Sequence, residues 1–157
     1  MKKVRVMSSA AMVALMSFGA MTMVSCEKTE DCAVGYEGKD CKTEIRAEML
    51  GTYDAVDVRG GQTKTYVPIV SQNAGNVSVV DIKEFGDFYS GNSEIVTSSV
   101  TKSGNTISFT IGEQKPDNIY TVEGSGTYDI PTKKLSITYS ISDGVNTNNA
   151  TGTWTKR

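Results

Sequence analysis

Three cysteines, Cys26, Cys32 and Cys41, are the only thiols in a chain of 157 residues that has no histidine. Imidazoles and thiolates supply the usual general bases and nucleophiles, so catalysis would have to come from other groups. Glu84 and Asp87 are spaced so that they could flank a glycosidic bond, but spacing alone does not set the geometry that glycosidases require. The run Asp87–Glu94, DFYSGNSE, places oxygen ligands around a glycine without the alternating acidic spacing of a calcium loop. The run Ser142–Asn149, SDGVNTNN, is no closer. The many serines and threonines fit the polar faces of strands. The expectation is a protein that is not an enzyme and holds no metal or cofactor.

The elements that carry these residues begin with a leader. Lys2, Lys3 and Arg5 precede an uncharged run from Ala10 to Val24 that is too short to span a bilayer, which takes roughly 20 residues. Six of the seven methionines lie before Cys26, a compositional break that marks residues 1–25 as a signal peptide. The run ends in Met23-Val24-Ser25-Cys26, which resembles a bacterial lipobox with methionine in place of the usual leucine. The resemblance implies that Cys26 is lipidated and becomes the first residue of the mature chain. The alternative is an ordinary secretory signal with Cys26 as a free thiol.

Residues 26–43 form the next segment. Cys32 to Cys41 reads C-x2-G-Y-x-G-x2-C, which resembles the C-terminal loop of an EGF-like module. The upstream cysteines and acidic calcium pattern of such a module are missing, so the resemblance implies a disulfide-closed stub without calcium or receptor binding. Export would allow Cys32 and Cys41 to oxidise. A zinc site is the competing use, and two thiolates without histidine make a poor one. Glu27-Lys28-Thr29-Glu30-Asp31 is similar to the surface-export signal of Bacteroidetes lipoproteins, implying an outer-membrane, surface-exposed protein. A solvated linker on the periplasmic face is the alternative.

The leader contains three of the 16 basic residues and none of the 18 acidic ones, so the mature chain is more acidic than the whole. No basic run neutralises phosphates, which argues against nucleic acid as a partner. Residues 44–157 suffice for one core. Turn residues recur at Gly60-Gly61, Asn73–Asn76, Ser90–Asn92, Ser103–Asn105, Pro116–Asn118, Pro131–Lys133 and Asp143-Gly144. They separate eight β-rich stretches. Ile107, Phe109 and Ile111 alternate with hydroxyl residues, as do Leu135, Ile137, Tyr139 and Ile141, so each strand wets one face. Tyr120, Val122, Gly124, Gly126, Tyr128 and Ile130 share a face whose two glycines mark a bend or a gap for a neighbouring ring. Ile45–Leu50 reads as a helical turn with Ile45 and Met49 on one side. The fold class is all-β: an eight-stranded antiparallel up-and-down barrel, with a β-sandwich as the alternative.

Gly51-Thr52-Tyr53 opens the first long strand and Gly152-Thr153-Trp154 lies in the last, ahead of Lys156-Arg157. This pattern resembles the first-strand G-x-W and last-strand basic residue of lipocalins and related calycins. It implies a barrel-closing motif of Gly51, Tyr53, Trp154 and Arg157, with Arg157 or Lys156 over Tyr53. Phe85, Phe88 and Tyr89 would form a ligand portal at one mouth, or plug that end of the core. The functional expectation is a membrane-anchored barrel that binds a small apolar ligand. The alternative is a filled barrel or sandwich that docks an envelope protein or glycan.

Overall fold

In a computed structural model, the structure describes residues 32–87 and 94–157. Strands β1 (Tyr36–Glu37) and β2 (Thr43–Glu44) form a small hairpin closed by the Cys32–Cys41 disulfide. A 3₁₀ turn, Ile45–Met49, leads into β3 (Gly51–Arg59). There follow β4 (Gln62–Tyr66), β5 (Ile69–Gln72), β6 (Val79–Lys83) and a 3₁₀ turn at Phe85–Asp87. The chain continues through β7 (Val96–Ser103), β8 (Thr106–Gln114), β9 (Thr121–Asp129), β10 (Lys134–Ser142) and β11 (Thr147–Lys156). Each strand from β5 to β11 pairs antiparallel with the next, and β11 pairs with β3 to close the ring. β4 and β5 lie end to end along β3, so the barrel has eight staves. Pro68 breaks that stave because it has no amide to donate to a ladder; its carbonyl accepts from the Tyr53 amide.

Alternation determines which side chains fill the tube. An eight-stranded barrel is just wide enough to be filled by its own residues. Tyr53, Phe109, Ile137, Tyr128, Tyr139 and Trp154 point inward and are buried. Gly126 faces Phe109 in register, and a methyl group there would strike the Phe109 ring and the Ser136 carbonyl. Gly124 likewise leaves room for Tyr139. Gly126 is therefore a socket for the Phe109 ring, and Gly124 lets the backbone of β10 and the Tyr139 Cβ come close. On the outside, β7 to β11 present threonines and serines in rows around the barrel, such as Thr101, Ser108, Thr127, Ser136 and Thr153. A lipid-spanning barrel needs an apolar outer band; this one has its apolar side within.

The two ends differ. The near end holds Ile45–Met49, the turns after β5, β7 and β9, and the C-terminal end of β11. Met49 is fully buried there, with Ile45 and Leu50 packed on the core. The far end holds Gly60-Gly61, the Glu84–Asp87 segment and the turns 115–120 and 143–146.

The disulfide stub is part of the near end. Arg46 is almost completely buried, its guanidinium donating from Nη1 to the carbonyls of Asn73, Asn76 and Val79, each at 2.8 Å. Its Nε meets Glu44 at 2.9 Å. Gly35 sits against Val77 and Ser78 so closely that a side chain would collide, and its carbonyl accepts from the Ile45 amide. Lys102 on β7 pairs with Glu37 of β1 at 2.6 Å.

Candidate functional site

The inward phase of β3 runs Tyr53, Ala55, Asp57, so alternation carries a carboxylate into the apolar interior. Asp57 is only 1% exposed. Burying a charge costs several kcal/mol unless hydrogen bonds replace its water, and three donors supply them. Trp154 Nε1–H donates to Oδ1 at 2.9 Å. The hydroxyls of Tyr66 and Tyr139 donate to Oδ2, each at 2.6 Å. Gly152, the register partner of Asp57 on β11, makes room: a side chain there would overlap the carboxylate.

Phe85 covers this cluster from the far end. It is fully buried, its ring 4.8 Å from Tyr139 and 5.9 Å from Trp154 in edge-to-face geometry. The Gly86 amide donates to the Tyr66 hydroxyl and the Gly86 carbonyl accepts from Arg59 at 2.8 Å. Burial raises the Tyr66 and Tyr139 pKa values well above the ordinary 10.0, and the Asp57 charge pushes both the same way. Burial likewise raises Tyr53, whose hydroxyl donates to the Met49 carbonyl. A general base must reach a substrate proton. Asp57 instead spends both oxygens on protein donors, so the cluster cross-links β3, β4, β10 and β11.

Tyr53 and Trp154 meet edge to face with centroids 6.2 Å apart, in the core. Gly51 underlies the stem of Lys156, the register partner of Tyr53. Lys156 Nζ reaches the Glu48 carbonyl at 2.8 Å. Arg157 extends the closing ladder through its amide to the Thr52 carbonyl, while its guanidinium turns outward to Asp54. Phe85 is core. Phe88, Tyr89 and Cys26 lie outside the described residues. Cys32 and Cys41 form the disulfide. Among the described residues, no group of three acidic or cysteine side chains is arranged to hold a metal ion.

The outer surface offers the other candidate. A bulge between Ile111 and Gln114 interrupts the β8–β9 ladder. Beside it runs an open groove of about 550 Å³ lined by Gly112, Glu113, Glu123, Ser125, Thr138 and Asn149. The far-end turns next to it are ordered by their own aspartates. Asp117 accepts from the Ile119 and Tyr120 amides, and Asp143 from those of Val145 and Asn146. These caps hold Ile119 and Val145 outward, 65% and 89% exposed.

No protein-family model matches the chain, and no curated protein matches it. Among solved structures it is similar to a protein of Bacteroides fragilis NCTC 9343 described as "a putative outer membrane protein". Identity is 14%, the TM-score is 0.45, and the match covers 70% of this chain and 51% of that one. The chain therefore spans about half of that protein, and likeness at this level says nothing of function here.

Two outcomes follow from the Asp57 cluster. Asp57→Ala leaves three buried donors unpaired and should lower stability by about 3–5 kcal/mol in urea unfolding, with Asp57→Asn costing less because it keeps an acceptor. The folded state holds the protons of Tyr53, Tyr66 and Tyr139 more tightly than the unfolded chain, whose tyrosines titrate near 10.0. Their contribution is therefore complete below that pH and is lost as pH rises above it. Tyrosinate absorbance from these residues should appear together with loss of β-sheet circular dichroism.

Proposed function

We propose that this protein is a lipid-anchored module of the outer membrane, exposed at the cell surface, that docks an envelope protein or glycan and catalyses no reaction. The lipobox-like Met23–Cys26 and the acidic residues that follow support the anchor and its address. The observation that carries the docking reading is the filled interior. Phe85, Tyr139, Trp154, Tyr53 and Tyr128 form a continuous series of ring contacts along the barrel, with the Tyr139 hydroxyl and Trp154 N–H spent on Asp57 and the Tyr53 hydroxyl on the Met49 carbonyl. A carrier of apolar molecules needs volume and converging polar groups in the same place. The far-end turns provide what docking needs instead: exposed apolar tips on pre-ordered backbone, beside a groove in which Glu113, Glu123, Thr138 and Asn149 border apolar surface from Ile111 and Tyr139.

The test has two arms. Purified protein should show no saturable uptake of an apolar fluorescent dye, whereas Phe85→Ala, which costs about 3–5 kcal/mol by opening a void, should gain it. A photo-crosslinking residue at Val145 should give discrete adducts in intact cells, and one at Asn105, on the opposite end, should not. One equivalent of dye taken up by the unaltered protein, with no adduct at Val145, would restore the carrier reading.

A further inference from the structure

We propose that the near end of the barrel rests on the anionic phospholipid headgroups of the membrane that holds the anchor, through Lys133, Lys134, Lys156 and Arg157. This rests on the lipid anchor proposed above. Its first support is where the chain enters the described structure. Cys32 belongs to a stub locked to the near end by the disulfide, by buried Arg46 on three carbonyls and by the Glu37–Lys102 pair. Only residues 27–31 separate Cys32 from Cys26. Fully extended, six steps of chain reach at most about 20 Å. The near end therefore lies close to the bilayer, and a stub fixed in place leaves the barrel little freedom to turn the far end toward it.

The second support is charge. The stub packs beside the turns after β5 and β7, whereas the four cations sit across the same end. Exposed Lys133 and Lys134 end the β9–β10 turn and begin β10, and Lys156 ends β11 with Arg157 next to it. The Lys156 amide donates to the Lys133 carbonyl at 3.0 Å, which joins the two pairs into one patch. The acidic groups nearby are Asp54, paired with Arg157, Asp129, capping Thr132, and exposed Glu48; the stub's Glu37, Asp40 and Glu44 are matched by Lys102, Lys42 and Arg46. The far end carries Glu84, Asp87, Glu94, Glu113, Asp117 and Asp143 against Arg59, Lys83 and Lys115. The barrel is thus polarised, with its basic end on the side where the anchor must be. Lysines near an anionic surface are attracted within about a Debye length, roughly 8–10 Å. Lipid on one side of the end and cations on the other would stand the barrel upright, holding Ile119 and Val145 away from the membrane.

The experiment uses the full chain purified from the cells that export it, mixed with vesicles of phosphatidylcholine, with or without phosphatidylglycerol. Labelling by a membrane-impermeant amine reagent is read residue by residue by mass spectrometry. Lys133 and Lys134 should label roughly fivefold more slowly on the anionic vesicles, and salt should abolish the difference. Lys64 and Lys115, toward the far end, should label equally on both. In the double variant Lys133→Glu/Lys134→Glu, built on exposed positions that leave the core intact, Lys156 should lose whatever protection it had. Equal labelling of Lys133 and Lys134 on both vesicles would overturn the inference and leave the anchor standing. Protein that fails to associate with either vesicle would overturn the anchor, and this inference with it.

Discussion

A carboxylate in the middle of a hydrocarbon tube is tolerable only if every oxygen is given a donor, and Asp57 sets that condition for the whole barrel. Its three donors come from β4, which pairs with β3 in a local hairpin, and from the β10–β11 hairpin, which reaches β3 only when the sheet closes. An open sheet leaves Asp57 with Tyr66 alone, and strands the Tyr139 hydroxyl and the Trp154 indole N–H without their acceptor. Shifting β11 by one residue would replace Gly152 with a side chain at the one place the carboxylate needs clear. Apolar packing supplies the drive to close; the polar cluster selects which closure is satisfied. Cross-links of this kind are strong because each alternative leaves something buried and unpaired.

The rings and glycines apply the same constraint in apolar form. Gly126 receives the Phe109 ring, and Gly124 admits the close approach of β10 at Tyr139. Such sockets let large rings fill a narrow tube without forcing the strands apart, as close packing demands. Phe85 and Met49 then stopper the far and near ends. The two ends also differ in what is fixed to them: the disulfide stub is held at the near end by Arg46 and by the Glu37–Lys102 pair.

What can be read from the chain in advance is what depends on near neighbours. Alternation of Ile107, Phe109 and Ile111, the glycine and asparagine turns, and the cysteine loop identify one-sided strands, their hairpins and the bridge. Even the two glycines of β9 announce a gap for a ring. Asp57 is hidden because its meaning lies in residues 82 and 97 positions away, and nothing local separates it from an exposed aspartate. Only its phase, two residues after Ala55 and four after Tyr53, marks it as inward. Arg46 is obscured in the same way, its partners being backbone carbonyls about thirty residues downstream. The break at Pro68 is visible as a proline, yet its effect depends on β3 pairing with both halves of one stave.

Hydrogen exchange at the Trp154 indole tests the central claim most directly. It is the chain's only tryptophan, so its N–H resonance needs no assignment against others. If Asp57 holds that proton inside a closed barrel, exchange should proceed only through global unfolding and track stability as denaturant is added. Rapid exchange in the folded protein, insensitive to low denaturant, would mean that water reaches the carboxylate and that the barrel is not organised around it.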